Sequence, residues 1–320
     1  MDSVQADHPV ALSGAPTGCS SAVVAVAPDF ADWLKHGRAE VDAALAAHFR
    51  ELEIKMGPHS RLPAAVQYSV NVGGKRLRPL LVLESCRVCG GRREAALPAA
   101  MAIELVHTFS LIHDDLPAMD DDDTRRGQPT NHKVFGEGLA VLAGDWLVTH
   151  ALELVAGADV PAETAAALVR TLAGGTRAMI EGQGADLDGE RQPARRELVE
   201  YIHEHKTAAL LETSCRLGAL CAGAPEETTT RLAAYGRHLG LAFQIVDDLL
   251  DATGSAADLG KDVRKDAAAG KQTYPAAFGL DESRRRAEGQ VDAALRQLDP
   301  FGEPAARLRD LARYVLLRDR

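Results

Sequence analysis

The chain has 320 residues with a formal net charge of −10, and only 4% of the residues are aromatic. The negative charge argues against a nucleic-acid partner, because a surface that binds nucleic acid needs an excess of Lys and Arg. Abundant Ala and Leu with so few aromatic residues favour helices over sheets, so the composition predicts an all-α protein.

The N-terminal segment contains acidic residues, Pro, Gly and Ser, and lacks the basic start and long apolar core of a signal peptide. We predict a flexible tail over 1–28 and a single domain over 29–320. No stretch has the about eighteen uninterrupted apolar residues of a membrane span, so we expect no stable membrane insertion. Five scattered cysteines are too few for a disulfide scaffold, which favours a reducing, cytoplasmic location.

From Asp29 onward, apolar residues recur at helical spacing, as in a first helix that contains Leu34, Val41 and Met56. Glycine and proline pairs mark the breaks between the helices that follow. Further helices are predicted over 62–72, 77–89, 94–116, 132–156, 161–182, 194–221, 227–251, 282–298 and 303–317.

A glycine turn with three basic residues precedes the third of these helices, in the string Gly73 to Pro79. Lys75, Arg76 and Arg78 in such a turn can present their charges to phosphate oxygens, beside the N–H groups of the helix N-terminus. The turn is not a Walker loop, because GxxxxGK[ST] is absent and no strand pattern precedes the glycines. Taken alone, such a basic group is more often a solvated patch.

A first acidic cluster, Asp114 to Asp120, begins at the C-terminal end of the apolar helix predicted over 94–116. Its string is Asp-Asp-Leu-Pro-Ala-Met-Asp. Crowded carboxylates repel one another, and the partial negative charge of a helix C-terminus adds to that repulsion. Mg²⁺ accepts oxygen ligands and is typically bound by one or two carboxylates together with substrate phosphates. If the cluster is crowded in a cleft, it therefore needs a cation, and Mg²⁺ is the obvious candidate.

A second acidic cluster, Asp247 to Asp251, ends another apolar helix. Asp247, Asp248 and Asp251 are three or four residues apart and therefore lie near one face, which Gln244 shares one turn earlier. One cluster alone would be read as a solvated helix end paired with nearby arginines. Two such clusters on apolar helices predict that they face each other and hold a diphosphate between shared cations.

Together these strings resemble the trans-isoprenyl diphosphate synthases, also called polyprenyl synthetases, and most of all the short-chain bacterial farnesyl diphosphate synthases. The order and spacing of the strings are specific to that family. The matching strings are Gly73 to Pro79, Ser110 to Asp120, Arg125-Arg126-Gly127, Lys206-Thr207, Phe243 to Asp251 and Gly270 to Pro275.

The resemblance implies an isoprenoid synthase fold, in which antiparallel helices surround a central cavity, and a homodimer. It implies condensation of isopentenyl diphosphate with dimethylallyl or geranyl diphosphate, with three Mg²⁺ ions on the allylic diphosphate and farnesyl diphosphate as the product. A final proton would leave to the released pyrophosphate, so no side-chain base is expected.

The resemblance also implies a role for individual residues. The metal ligands would be Asp114, Asp115, Asp120, Asp247 and Asp251. The allylic diphosphate would contact Arg125, Lys206 and Lys261, and isopentenyl diphosphate would contact Lys75, Arg78, His107 and Arg126. The carbocation would be stabilised by Lys206, Thr207 and Gln244, and product length would be set by Phe109 and Ser110. His107 lies on a mostly apolar helix, so a core histidine is its alternative role.

Other functions remain open at this stage. A geranylgeranyl diphosphate synthase would share every string, whereas a class I terpene cyclase would not need Lys75, Arg78 and Asp251. A metal-dependent phosphohydrolase would need converging histidines, and a non-catalytic synthase subunit would lack one acidic cluster.

One segment departs from the family pattern, and a second has two interpretations. Arg264 replaces an expected glycine in the loop after the second cluster, and the basic end at Arg318 either closes over the isopentenyl site or is a frayed terminus.

Overall fold

The structure, a computed structural model, describes residues 26–56, 59–253 and 271–318. The predicted tail over 1–28 falls almost wholly outside these residues, as do Lys261 and the loop at Arg264. Helices account for nearly all regular structure in the described part, which confirms the all-α prediction. The helices are α1 (Phe30–Met56), α2 (Leu62–Asn71), α3 (Leu77–Val88), α4 (Arg93–Asp114), α5 (Asn131–Phe135), α6 (Glu137–Ala156), α7 (Ala162–Gly189), α8 (Arg196–Ile202), α9 (Ala209–Cys221), α10 (Glu226–Thr253), α11 (Tyr274–Phe278), α12 (Leu280–Gln297) and α13 (Ala306–Leu317).

Three kinds of shorter element complete the described structure. A hairpin pairs strands β1 (Thr124–Arg125) and β2 (Gln128–Pro129), and a π-helical turn covers His203–Ala208. Two 3₁₀ turns, Asp299–Phe301 and Glu303–Ala305, lead into α13.

Two buried apolar clusters form the core, one around α4 and α6 and one around α10, α12 and α13. Helix α4 has twelve buried residues distributed around its circumference, as expected of a helix that is apolar on all sides. Helix α10 has thirteen buried residues and packs against α9 and α12. The two acidic clusters therefore lie at the ends of the two central helices, which fixes their positions rigidly.

By length and composition alone, α4 and α6 could each cross a membrane, which the sequence analysis did not anticipate. In α4 the apolar window is 67% buried, so this helix is a core helix of the fold. In α6 the window is only 39% buried, and Leu142 on its outer side is 52% exposed. The apolar outer side of α6 therefore has no covering element among the described residues.

The helix boundaries differ from the predicted ones at three places. The helix predicted over 132–156 breaks at Gly136, whose φ of 90° is incompatible with a helix. The helix predicted over 194–221 is interrupted by the π-helical turn, which inserts extra residues without disturbing the apolar pattern enough to be read from sequence. The helix predicted over 161–182 continues to Gly189, because the polar residues beyond 182 still pack on neighbouring helices.

Candidate active site

The first acidic cluster turns back on itself at the end of α4. Asp114 is the last residue of the helix, and the backbone N–H of Asp120 donates to the Asp114 carbonyl oxygen at 2.8 Å. The loop therefore returns Asp120 to the same helix end. Burial raises the pKa of the Asp114 carboxyl to about 6, and the nearby Asp120 charge contributes to the same shift. The site is electrostatically unfavourable for an ionised Asp114 unless a cation is bound.

Asp115 has a different environment from Asp114. It is 3% exposed, and its Oδ1 accepts hydrogen bonds from Arg125 Nε at 2.7 Å and from Arg125 Nη2. Arg125 lies in the hairpin after the cluster, whose two-residue loop has positive φ at Arg126 and Gly127, as in a type I′ turn. Asp115 therefore fixes the position of Arg125 beside the cluster.

The second acidic cluster occupies the last turns of α10. The Asp247 side chain is 40% exposed, and its Oδ1 lies 2.9 Å from Nη2 of Arg318. Asp248 is 4% exposed and accepts hydrogen bonds from Gln244 Nε2 at 3.0 Å and from the backbone N–H of Tyr274 at 2.9 Å. Asp251 is half-buried one turn later.

One short segment connects the two clusters. Lys271 Nζ lies 3.4 Å from Oδ1 of Asp120, and the N–H of Tyr274 donates to Asp248. Lys271 and Tyr274 are three positions apart in the sequence, so the Cα atoms of these two residues are separated by at most about 11 Å. The Lys206 charge also lowers the pKa of Asp114, so Lys206 lies near the same carboxyl. The acidic ends of α4 and α10 therefore border one cleft.

The π-helical turn forms a third wall of this cleft. A Cβ on Gly182 of α7 would lie 2.3 Å from the backbone N of Lys206, so only glycine allows this close approach. Lys206 Nζ is 2.6 Å from Oδ2 of Asp186, and Thr207 Oγ1 donates to Gln244 Oε1 at 2.9 Å. Sequence reasoning missed Asp186, although an acidic residue one turn after Gly182 on a buried helix face is an available signal.

A cationic pocket lies beside the first cluster. Burial, with help from the Arg126 charge, lowers the pKa of Arg78 to about 10, and the pKa of His107 is held well below 6.5 by burial and by the same two arginines. The Nε of Arg78 is buried without a hydrogen-bond partner among the described residues. A Cβ on Gly74 would lie 2.5 Å from Nη1 of Arg126, so the glycine turn that carries Lys75 closes onto this pocket. Such an excess of positive charge favours an anion.

Arg76 is not part of this pocket, which corrects its grouping with Lys75 and Arg78. Its side chain is buried and pairs with Asp42 at 2.8 Å and with Glu104 at 2.6 Å, and its Nη2 donates to the Val70 carbonyl. Its left-handed backbone, with φ 51°, directs it away from its neighbours in the turn. Arg76 therefore joins α1, α2 and α4 rather than facing a ligand.

Phe109 and Ser110 lie below the first cluster on α4. Phe109 is 8% exposed, and its ring makes an edge-to-face contact with His113 at 4.9 Å between ring centres. His113 Nε2 is in turn 3.0 Å from the Val141 carbonyl of α6. Ser110 Oγ donates to the His107 carbonyl at 2.9 Å. The Phe109 ring is five residues before Asp114, about 7–8 Å along the helix axis.

The basic C-terminal end is docked, so the alternative of a frayed terminus is wrong for Arg318. This side chain is buried, its guanidinium lies 3.7 Å from the centre of the Phe243 ring, and it pairs with Asp247. In the structure it therefore reaches the second acidic cluster instead of the cationic pocket. Asp319 and Arg320 lie outside the described residues.

The donor set fits Mg²⁺ held jointly with a substrate. Within the described ranges, no three acidic, His or Cys side chains are close enough to hold an ion by themselves. The cleft instead offers carboxylate oxygens from two sides, with Asp114 destabilised as an anion by its burial. Carboxylates that leave coordination positions for phosphate oxygens and water are the usual environment of protein-bound Mg²⁺.

Comparisons with known proteins identify the family of this chain. The polyprenyl synthetase family model matches residues 59–303. The chain is 43% identical to the farnesyl diphosphate synthase of Geobacillus stearothermophilus, over 90% of this chain and 97% of that protein. It is 44% identical to a geranylgeranyl diphosphate synthase of Cyanophora paradoxa, over 80% and 87% of the two chains. An FPP/GFPP synthase from Zymomonas mobilis superimposes with a TM-score of 0.79 at 36% identity, covering 90% of this chain and 99% of that one. The chain therefore belongs to the polyprenyl synthetase family, whose members are trans-prenyltransferases.

Proposed function

We propose that this enzyme condenses isopentenyl diphosphate with dimethylallyl diphosphate and then with geranyl diphosphate to give farnesyl diphosphate. The observation that carries the proposal is the single cleft bordered by the acidic ends of α4 and α10, next to a pocket of positive charge. The acidic side suits an allylic diphosphate with its cations. The cationic side suits a second diphosphate without metal.

The acidic side would hold Mg²⁺ through Asp114 and Asp120 on one helix end and Asp247 on the other, with Asp251 nearby. Asp115 is assigned to Arg125 instead, because both of its contacts hold that guanidinium. Bound Mg²⁺ would supply charge neutralisation for a departing diphosphate. Arg125 and Lys206 provide fixed positive charge for the same leaving group, and Lys261 is assigned there by family resemblance alone.

The cationic pocket would grip isopentenyl diphosphate through Lys75, Arg78, His107 and Arg126. The neutral imidazole of His107 can donate one hydrogen bond without adding charge, which its depressed pKa requires. Guanidinium groups bind phosphate oxygens in a bidentate manner, so Arg78 and Arg126 give both affinity and orientation.

The reacting carbons would meet between the two diphosphates. Departure of the allylic diphosphate leaves a carbocation, which the Thr207 hydroxyl, the Gln244 amide and the backbone carbonyl of Lys206 stabilise by their dipoles. The isopentenyl double bond attacks this carbon, and the released pyrophosphate accepts the final proton. Closure of the cleft excludes water, which would otherwise trap the cation.

Product length is proposed to depend on the Phe109 ring, which occupies the floor below Asp114. Phe109→Ala should remove that floor and shift the main product from C15 to C20 or longer. The measurement is chromatography of the dephosphorylated products. A geranylgeranyl product in the unmodified enzyme would instead place this chain with its C20-forming relatives.

Phe49→Ala is the matched control for this change, because Phe49 is 5% exposed in the same core cluster but lies on α1. Both substitutions should lower stability by about 3–5 kcal/mol, whereas only Phe109→Ala should lengthen the product. An unchanged product from Phe109→Ala, or a longer product from Phe49→Ala, would contradict the floor assignment.

A homodimer is proposed through the apolar outer side of α6. Val141 and Leu142 on this side are 39% and 52% exposed, and Val134 of the neighbouring helix α5 is 42% exposed. Leu142→Glu should shift the protein from dimer to monomer in sedimentation velocity, because a buried unpaired charge opposes association. Leu280→Glu on α12, where the leucine is 40% exposed, is the control that should leave the dimer intact.

The catalytic proposal is tested by incubating the protein with Mg²⁺, isopentenyl diphosphate and each of the C5, C10 and C15 allylic diphosphates. Elongation of C5 and C10 but not C15 is expected. Hydrocarbon products formed without isopentenyl diphosphate would indicate a terpene cyclase, and the absence of any product would indicate a non-catalytic subunit.

A cytoplasmic location is proposed on the four described cysteines, which are all free thiols.

A further inference from the structure

Asp248 differs from the other carboxylates of the second acidic cluster because it is engaged inside the protein. Its Oδ1 accepts from Gln244 Nε2 at 3.0 Å, and its Oδ2 accepts from the backbone N–H of Tyr274 at 2.9 Å. Nε2 of the buried His203 lies 3.4 Å from the same Oδ2. Asp248 is therefore held between α10, α11 and the π-helical turn, behind the wall of the cleft.

These contacts determine the orientation of the Gln244 amide. Asp248 accepts from the Gln244 amide in the structure, and an amide has one donating and one accepting end. Asp248 must therefore face the NH₂ group of Gln244, which leaves Oε1 facing Thr207. The Thr207 hydroxyl, 2.9 Å from that oxygen, can only donate to it.

The direction of this hydrogen-bond chain decides what Thr207 presents to the cleft. With its proton committed to Gln244, the Thr207 oxygen presents its lone pairs on the remaining side. Thr207 follows Lys206, whose charge acts on Asp114 across the cleft. A dipole with its negative end toward the cleft stabilises a developing cation, whereas a reversed hydroxyl would present its proton and oppose it.

We propose that Asp248 is a positioning residue that sets the direction of the Asp248–Gln244–Thr207 hydrogen-bond chain, so that the Thr207 oxygen faces the allylic carbon with its negative end. The proposal rests on the proposed prenyl transfer. It explains why the second acidic cluster contains Asp248, which is not assigned to the metal. A purely structural role would require only that Asp248 hold α10 to α11.

Asp248→Asn separates the two roles because it preserves the shape of the side chain. The Tyr274 N–H still needs an acceptor, so the new amide oxygen must take that place and its NH₂ must face Gln244. Gln244 then turns over, and Thr207 must accept rather than donate. The Tyr274 hydrogen bond keeps its direction, whereas the two hydrogen bonds of the 248–244–207 chain persist with reversed direction. We expect kcat to fall about 100-fold while both KM values and the thermal midpoint stay near those of the unmodified enzyme.

The double variant Gln244→Glu/Asp248→Asn should restore the original direction. A carboxylate at position 244 accepts from both neighbours, and the net charge of the pair is unchanged. We expect kcat about tenfold or more above that of Asp248→Asn alone. Asp292→Asn, at an exposed position on α12, is the control and should leave kcat unchanged. Full activity of Asp248→Asn, or a double variant no faster than Asp248→Asn, would overturn the proposal.

Neutron diffraction on the deuterated, unmodified protein tests the same claim without any substitution. A deuteron between Thr207 Oγ1 and Gln244 Oε1 is expected, and one directed from Thr207 into the cleft would overturn the proposal. This measurement needs no turnover. If the unmodified enzyme made no prenyl product, the proposed function would fail while the direction of the chain could still be read.

Discussion

Replacing Asp114 by Asn should reduce kcat by about a thousandfold or more, since the loss of a metal-binding carboxylate removes several kcal/mol of charge stabilisation from the departing diphosphate. The loss should appear in Mg²⁺-saturated assays with geranyl and isopentenyl diphosphates. Asp292→Asn on α12 is the matched control, because that residue is exposed and lies outside the site. An Asp114→Asn enzyme with a turnover close to that of the control would contradict the metal assignment.

The same substitution should stabilise the metal-free protein. Burial raises the pKa of Asp114 from 3.8 to about 6, so the ionised carboxyl opposes folding by roughly 2–3 kcal/mol at pH 7.5. Asparagine removes that penalty, and urea denaturation should show a higher free energy of unfolding. The gain should shrink as the pH falls from about 6 toward 4, because the carboxyl becomes protonated in the folded state below about 6 and in the unfolded state only near 3.8. If Asp114 instead stabilised the fold, Asp114→Asn would lower the free energy of unfolding.

Arg76 and Arg78 should respond in opposite ways to the same substitution. Arg78→Met should raise the KM for isopentenyl diphosphate about 10–100-fold, the cost of one or two charge-assisted hydrogen bonds, with little change in the KM for geranyl diphosphate. It should not lower stability, because burial already disfavours the Arg78 charge. Steady-state kinetics with each substrate varied, together with urea denaturation, provides both readouts.

Arg76→Met should instead destabilise the fold by about 3–5 kcal/mol, because it leaves Glu104 buried without its 2.6 Å partner. The enzyme that remains folded should keep its KM for isopentenyl diphosphate. If the two variants lost stability equally, or if Arg78→Met raised both KM values alike, the division between a structural and a substrate-binding arginine would be wrong.

The parts of the site that are local in sequence could be predicted. The apolar pattern of α4 and α10 and the acidic strings at their ends are properties of short segments, and both helices are where the pattern predicts them. The hairpin at Arg126 and Gly127 was not predicted. Its two positive φ angles suit a non-glycine residue followed by glycine, but strands of two residues are too short for an alternating pattern.

The pairings across the fold could not be read from the sequence. Asp186 and Lys206 are twenty residues apart, Arg76 and Glu104 are twenty-eight apart, and Arg318 joins Asp247 from the far end of the chain. Each pairing depends on how the helices pack. The π-helical turn is similar, because the extra residue that brings Thr207 to Gln244 leaves the apolar positions of the helix nearly unchanged.

A crystal structure of the protein with Mn²⁺ and an allylic thiolodiphosphate tests the shared-cation account most directly. Anomalous scattering locates the metal ions independently of the ligand. We expect ions that touch the diphosphate and also Asp114 and Asp120 on one side and Asp247 on the other, with Arg318 displaced from Asp247. A diphosphate bound away from both helix ends, or held with no ion between it and these carboxylates, would contradict the account.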